Sequence, residues 1–185
     1  MTSIAHDSII YPQQPQLVYY GHPTLRTEAK TVNDFSPQLR LLFETMFEIM
    51  EKNNGIGLAA PQIAIPGQIV AINLEAYDLG RLSIVNPQIK FRSEETGPYD
   101  EGCLSVPGIY ETVMRPLQIV VEAQDQNGKE IEIKADGILA RVLQHEIDHL
   151  HGILFVDHLD DYIRKEYTKE LKLIKKMNKN NADTV

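Results

Sequence analysis

Apolar residues recur at helical spacing after Ser36: Leu39, Phe43, Met46, Phe47 and Met50 fall on one stripe. Ser36 is placed to cap, Pro37 suits the first turn, and Asn53-Asn54-Gly55 stops the run. The pattern predicts an amphipathic helix whose Met and Phe face packs in a core. Further along, Gln68 to Leu74, Arg81 to Val85, Leu117 to Ala123 and Glu130 to Lys134 read as strands. The last two are joined through Asp125-Gln126-Asn127-Gly128, a hairpin turn signal. A second helix is expected from near Asp136, and a third from Asp161 to Met177, ahead of a polar Asn-Lys-Asn-Asn tail.

No repeat or linker interrupts these elements, so the expected architecture is α+β: antiparallel sheets packed around the second helix, with a C-terminal helix. The opening stretch, with two prolines and neither period, reads as an extended arm over residues 1–17. One domain then covers 18–178, and a flexible tail covers 179–185. At 185 residues and 43% hydrophobic, a single domain with a substantial core is expected.

A formal net charge of -8 argues against a surface built to neutralise nucleic-acid phosphates, and direct DNA binding is not expected. No apolar run is long enough to span a bilayer, and no Lys or Arg precedes Arg26, so neither a membrane span nor a targeting peptide is visible. A cytoplasmic protein is the resulting expectation. The single cysteine, Cys103, has no partner for an intrachain disulfide, so its interest is in packing, reactivity or metal binding.

The second helix carries His145-Glu146-Ile147-Asp148-His149, two imidazoles four residues apart on one helical face, the spacing that grips one metal ion. Glu146 then lies close to the metal without having to ligate it. It is a candidate general base, towards water that the cation has made more acidic. The motif alone is also compatible with a solvated helix, and otherwise says only metallohydrolase. His158, nine residues beyond His149, lacks the glycine-spaced pattern of longer zinc-protease motifs and reads as a surface residue. Cys103 instead sits in Glu101-Gly102-Cys103-Leu104-Ser105-Val106-Pro107, where Gly102 permits close backbone approach. A lone cysteine is by default an inert buried thiol. One thiolate with two neutral imidazoles, however, makes three protein ligands with one position open, as a catalytic site requires.

Gly55-Ile56-Gly57-Leu58-Ala59-Ala60-Pro61-Gln62 follows the first helix directly, and its two glycines suit a backbone passing close to a ligand. Taken together, GxGLAxxQ, EGCLS and HExDH, in this order, resemble the three signature motifs of the peptide deformylases, and the resemblance runs from about Val18 through the third helix. It implies hydrolysis of the N-formyl group from the formyl-methionine of nascent polypeptides, with release of formate. It further implies that Cys103, His145 and His149 bind one divalent metal, commonly Fe2+ and replaceable by Zn2+, Ni2+ or Co2+. Glu146 would then be the acid and base, with the Gln62 side-chain amide and the Leu104 backbone N–H stabilising the oxyanion.

Ile138, Val142, His145 and His149 share one face of the second helix, and Ile56 matches a pocket position of the family. With Gly57 and Gly102 they outline a slot for an unbranched methionine side chain, core packing of Ile138 and Val142 being the plainer alternative. Arg141 beside this stripe is expected to line the pocket mouth with its stem and keep its charge in water. The resemblance also pairs Asp148 with Arg115, holding the metal helix to the Cys103 segment. The third helix reverses the sign of the chain, with Arg164, Lys165, Lys169, Lys172, Lys175, Lys176 and Lys179 against Glu166 and Glu170. It reads either as a solvated face or, as in some relatives, as a surface for ribosomal RNA. Two rival readings are an HExxH metallopeptidase, which needs no cysteine ligand, and an idle metal-binding domain, against which Glu146 and Gln62 both stand.

Overall fold

The computed structural model describes residue 9 and residues 15–182, so most of the expected arm lies outside the described residues. The elements in chain order are α1 (Pro37–Lys52), β1 (Gly57–Ala59), β2 (Ile69–Leu74), β3 (Gly80–Arg92), β4 (Thr96–Cys103), β5 (Val106–Pro116), β6 (Ile119–Gln124), β7 (Glu130–Ala135), α2 (Gly137–Leu150), α3 (Asp161–Glu166) and α4 (Thr168–Ala182). Five strands form one antiparallel sheet in the order β1-β2-β3-β6-β7, while β4 and β5 make a separate hairpin. Among the described residues no helix is long and apolar enough to cross a membrane.

The main sheet has a helix on each face, and β2 shows how the sequence arranges this. Ile69 and Ala71 point into the cluster built by Phe43, Met46 and Met50 of α1, whereas Val70, Ile72 and Leu74 point into that of Leu143, Ile147 and Leu150 of α2. A strand buried on both faces has no polar side to show, which is why Ile69–Leu74 reads as an almost continuous apolar run. The α1 stripe packs as expected, with Leu39, Phe43, Met46, Phe47 and Met50 all buried. A third cluster, including Val106, Ile109, Phe155, Leu171 and Ile174, joins the hairpin to α4.

Three elements differ from the expectation. β3 continues beyond the expected end at Val85, through Asn86-Pro87 to Arg92. Asn86 takes a left-handed conformation (φ 52°) at an irregularity in the β3–β6 register, so the strand kinks instead of ending. Its side chain holds the kink: Oδ1 accepts from Val32 N–H (2.9 Å), and Nδ2 donates to Val32 C=O and Gln124 Oε1 (2.8 Å each). The β4–β5 hairpin was not foreseen, because two of its buried positions are the charged Glu101 and Arg115 and its apolar alternation is therefore hidden. The expected third helix is two, broken at Tyr167, whose hydroxyl donates to Glu111 Oε1 on β5 (2.6 Å), and α4 runs on to Ala182, past the Met177 end.

Asn86→Ala leaves both Val32 backbone groups without their partner and puts a Cβ-bearing residue with no polar arm into left-handed backbone. It is expected to cost about 2 kcal/mol, and Asn86→Gly somewhat less because glycine adopts that backbone freely. Urea unfolding at fixed metal concentration, with the midpoint shifted and the slope unchanged, is the measurement.

Candidate metal centre and cavity

α2 is buried almost all round: Ala140 through Ile147, His149 and Leu150 are shielded by the main sheet on one side and the hairpin on the other. Its two histidines, one turn apart, therefore project into protein. Their rings meet edge to face at 5.0 Å, and Phe155 stacks on His145 at 6.1 Å. Cys103 closes β4 immediately before the Leu104-Ser105 turn, at a shift in the hairpin register that swings it towards the helix. Its Sγ lies 3.3 Å from His149 Nε2, and one donor atom each from Cys103, His145 and His149 fall within 4.8 Å of one another. A soft thiol and two imidazoles at this separation fit a single divalent transition metal.

The orientation of His145 is set by Glu101. Its Oε2 accepts from His145 Nδ1 at 2.9 Å, which places the proton on Nδ1 and leaves Nε2 with its lone pair for the metal. Arg115 forks onto both oxygens of Glu101 (2.6 and 3.0 Å), and Arg141 Nη1 reaches Oε1 at 3.3 Å. Burial pushes the Glu101 carboxyl up, but the bonds from His145 and Arg115 outweigh it and hold it at about 2. Burial lowers His145, yet its bonds to Cys103 and Glu101 raise it well above an ordinary histidine, while burial drives His149 well below one.

Glu146 stands on the cavity side of α2. Burial raises it to about 7, so it can hold or release a proton near neutrality, and its Oε2 has no protein partner. Gly57 faces it so closely that a Cβ there would sit 2.3 Å from Glu146 Oε1 and 2.9 Å from Val142. Gln62, in the turn after β1, is oriented by Ala59 N–H, which donates to Oε1 at 2.7 Å. Its Nε2 is thereby turned to Cys103 Sγ and Ser105 Oγ, both at 3.4 Å.

These groups open onto a cavity of about 540 Å³. Every expected site residue except His149 lines it: Ile56, Gly57, Gln62, Gly102, Cys103, Leu104, with Ile138, Val142, His145 and Glu146 from α2. His149 is fully enclosed behind them. Ile56, Ile138 and Val142 also pack against the sheet cluster, so the slot and the core share these side chains. A Cβ on Gly102 would meet the Tyr110 ring at 2.4 Å, so a side chain there would push that exposed ring aside.

Arg141 corrects the expectation of a charge kept in water. Its guanidinium is buried, donating to Gly97 C=O (2.8 Å) and Val113 C=O (3.0 Å) as well as to Glu101, because the hairpin covers that face of α2. The Asp148–Arg115 pair is present at 2.7 Å. His158 is not merely a surface residue, since its Nε2 lies 2.7 Å from Asp148 Oδ2. Burial raises the Asp148 carboxyl, but its bonds to His158 and Arg115 carry it below the ordinary value. The reading from sequence gave Glu101 no role. The one available signal was the general rule that a ligating imidazole needs an acceptor for its other nitrogen.

Residues 15–165 match the family model described as polypeptide deformylase. The peptide deformylase of Treponema pallidum is 44% identical over 151 residues, covering 82% of this chain and 91% of the relative. A plant peptide deformylase crystal structure superposes with a TM-score of 0.87 at 36% identity, over 94% of this chain and 96% of that one. A peptide deformylase from Legionella pneumophila superposes at 0.82 and 39% identity, over 88% and 96%. Fold and sequence agree across nearly the whole length, and the chain belongs to the polypeptide deformylases, a family of metal-dependent hydrolases.

Proposed function

We propose that the chain removes the formyl group of N-formyl-methionyl nascent peptides at a metal held by Cys103, His145 and His149, with Glu146 as its acid and base. The observation that carries this reading is Glu146: buried, raised to about 7, with an unpartnered oxygen beside the Cys/His/His cluster. Fe2+ is the metal we assign from the family resemblance; a thiolate with two imidazoles suits it and also Zn2+, Ni2+ or Co2+ as replacements. When bound, the cation supplies Lewis-acid charge that makes water more acidic and polarises the formyl carbonyl.

The protein residues do the rest. Glu146 takes a proton as water attacks the formyl carbon, and passes it to the amine nitrogen as the carbon–nitrogen bond breaks, so formate and a free amino terminus result. Gln62 Nε2–H and the Leu104 backbone N–H donate to the oxygen that becomes negative in the transition state. Ile56, Ile138 and Val142 hold the methionine side chain, while Gly57 and Gly102, which also line the cavity, leave room for Glu146 and Tyr110 beside the peptide. The catalytic unit on this reading is 18–178, and its compartment is the cytoplasm, where nascent chains carry the formyl group. Exposed Lys169, Lys172, Lys175 and Lys176 on α4 support a contact with ribosomal RNA, opposite in sign to the chain as a whole.

Glu146→Ala is expected to lower formate release from a short formyl-Met peptide about 1,000-fold while metal content stays at parent level. Cys103→Ala is expected to lose the metal itself, and retained metal with retained activity would favour a metallopeptidase-type site. Gly57→Ala keeps the metal but crowds Glu146, so kcat should fall about 100-fold without a matching loss of metal; an unimpaired variant would remove Gly57 from the mechanism. Lys172→Glu with Lys176→Glu should weaken co-sedimentation with ribosomes at low salt and leave peptide deformylation unchanged.

A further inference from the structure

The polar chain behind His145 does not stop at Glu101. Arg115, bonded to Glu101 through Nε and Nη2, turns Nη1 to Asp148 Oδ2 at 2.7 Å, and His158 Nε2 meets the same oxygen at 2.7 Å. Exposure rises along this path. The Glu101 and Arg115 side chains are 4% and 6% exposed, Asp148 is 20%, and His158 reaches 36%. His158 follows the short turn Phe155–Asp157, whose Phe155 ring stacks on His145. One segment thus touches the metal helix twice, once by an aromatic face and once by a hydrogen bond.

We propose that His158 is a positioning residue for the metal centre: by fixing Asp148 it holds Arg115 and Glu101 in register, and so fixes the direction of His145. The inference rests on the metal assignment above. Asp148 is the one carboxylate of the network that water can reach, and Arg115 alone would leave it free to rotate outward. A second donor on the same oxygen closes that rotation. Loss of Asp148 from Arg115 would free one edge of the guanidinium that forks onto Glu101, and with it the acceptor that selects the His145 tautomer.

Partners that orient a ligand typically change metal affinity or activity by about 10- to 100-fold, and His158 acts at some remove, so the low end applies. The test uses metal-loaded His158→Ala and His158→Gln, reading metal release to a chelator together with kcat and KM on a formyl-Met peptide. Expected are metal release about tenfold faster and a similar fall in kcat for His158→Ala, with KM little changed. His158→Gln, whose amide N–H can reach Asp148, should restore most of both. Adding His158→Ala to Asp148→Ala should change nothing further, with Asp148→Asn in its place if that background does not fold. Parent-like metal release in His158→Ala, equal loss in the Ala and Gln variants, or independent effects of positions 148 and 158 would each overturn the proposal. A metal-loaded parent that frees no formate would sink the deformylase mechanism instead, and metal release would still decide the role of His158.

Discussion

A carboxylate buried to this degree survives only if its charge is met, and Glu101 is where β4, β5 and α2 are tied together. It receives two guanidinium groups and one imidazole, so both of its oxygens are doubly engaged. Such a network adds little net stability over an apolar substitute, since desolvation offsets much of the attraction. It does demand one arrangement, because displacing any member strands a charge in protein. The tautomer of His145, the seat of Arg141 and the angle of the hairpin on the metal helix all follow from that demand.

The same enclosure explains the chemistry of α2. Glu146 and Glu101 are carboxylates within one site, yet one rises to about 7 and the other sinks to about 2. Desolvation raises both; His145 and Arg115 oppose it at each, but only at Glu101 do they also hydrogen-bond and so reverse it. Environment therefore divides the two acids into one able to hold or release a proton near neutrality and one kept ionised.

Much of this was legible in the sequence where local pattern and function coincide. The α1 stripe, the Asp125-Gln126-Asn127-Gly128 turn and the three motifs each announce themselves through spacing, and the cavity assembles the residues they name. What stayed hidden depends on contacts distant in sequence. Glu101, Arg115 and Arg141 look like surface charges until α2 and the hairpin are folded together. Asn86-Pro87 looks like a stop until Val32 supplies partners for the Asn86 side chain, and Tyr167 looks like one more helix residue until Glu111 captures its hydroxyl.

The hairpin and the main sheet share no hydrogen-bonded ladder, and α2 packs against both. Glu101 belongs to β4 and Arg115 to β5, and the two would depart from α2 as a neutral pair still clasped together. Arg141 and Asp148, by contrast, would be left on the helix without Glu101 and Arg115. Opening is thus opposed at the helix side and tolerated within the hairpin. Seating the hairpin on α2 therefore satisfies several buried charges together rather than one bond at a time.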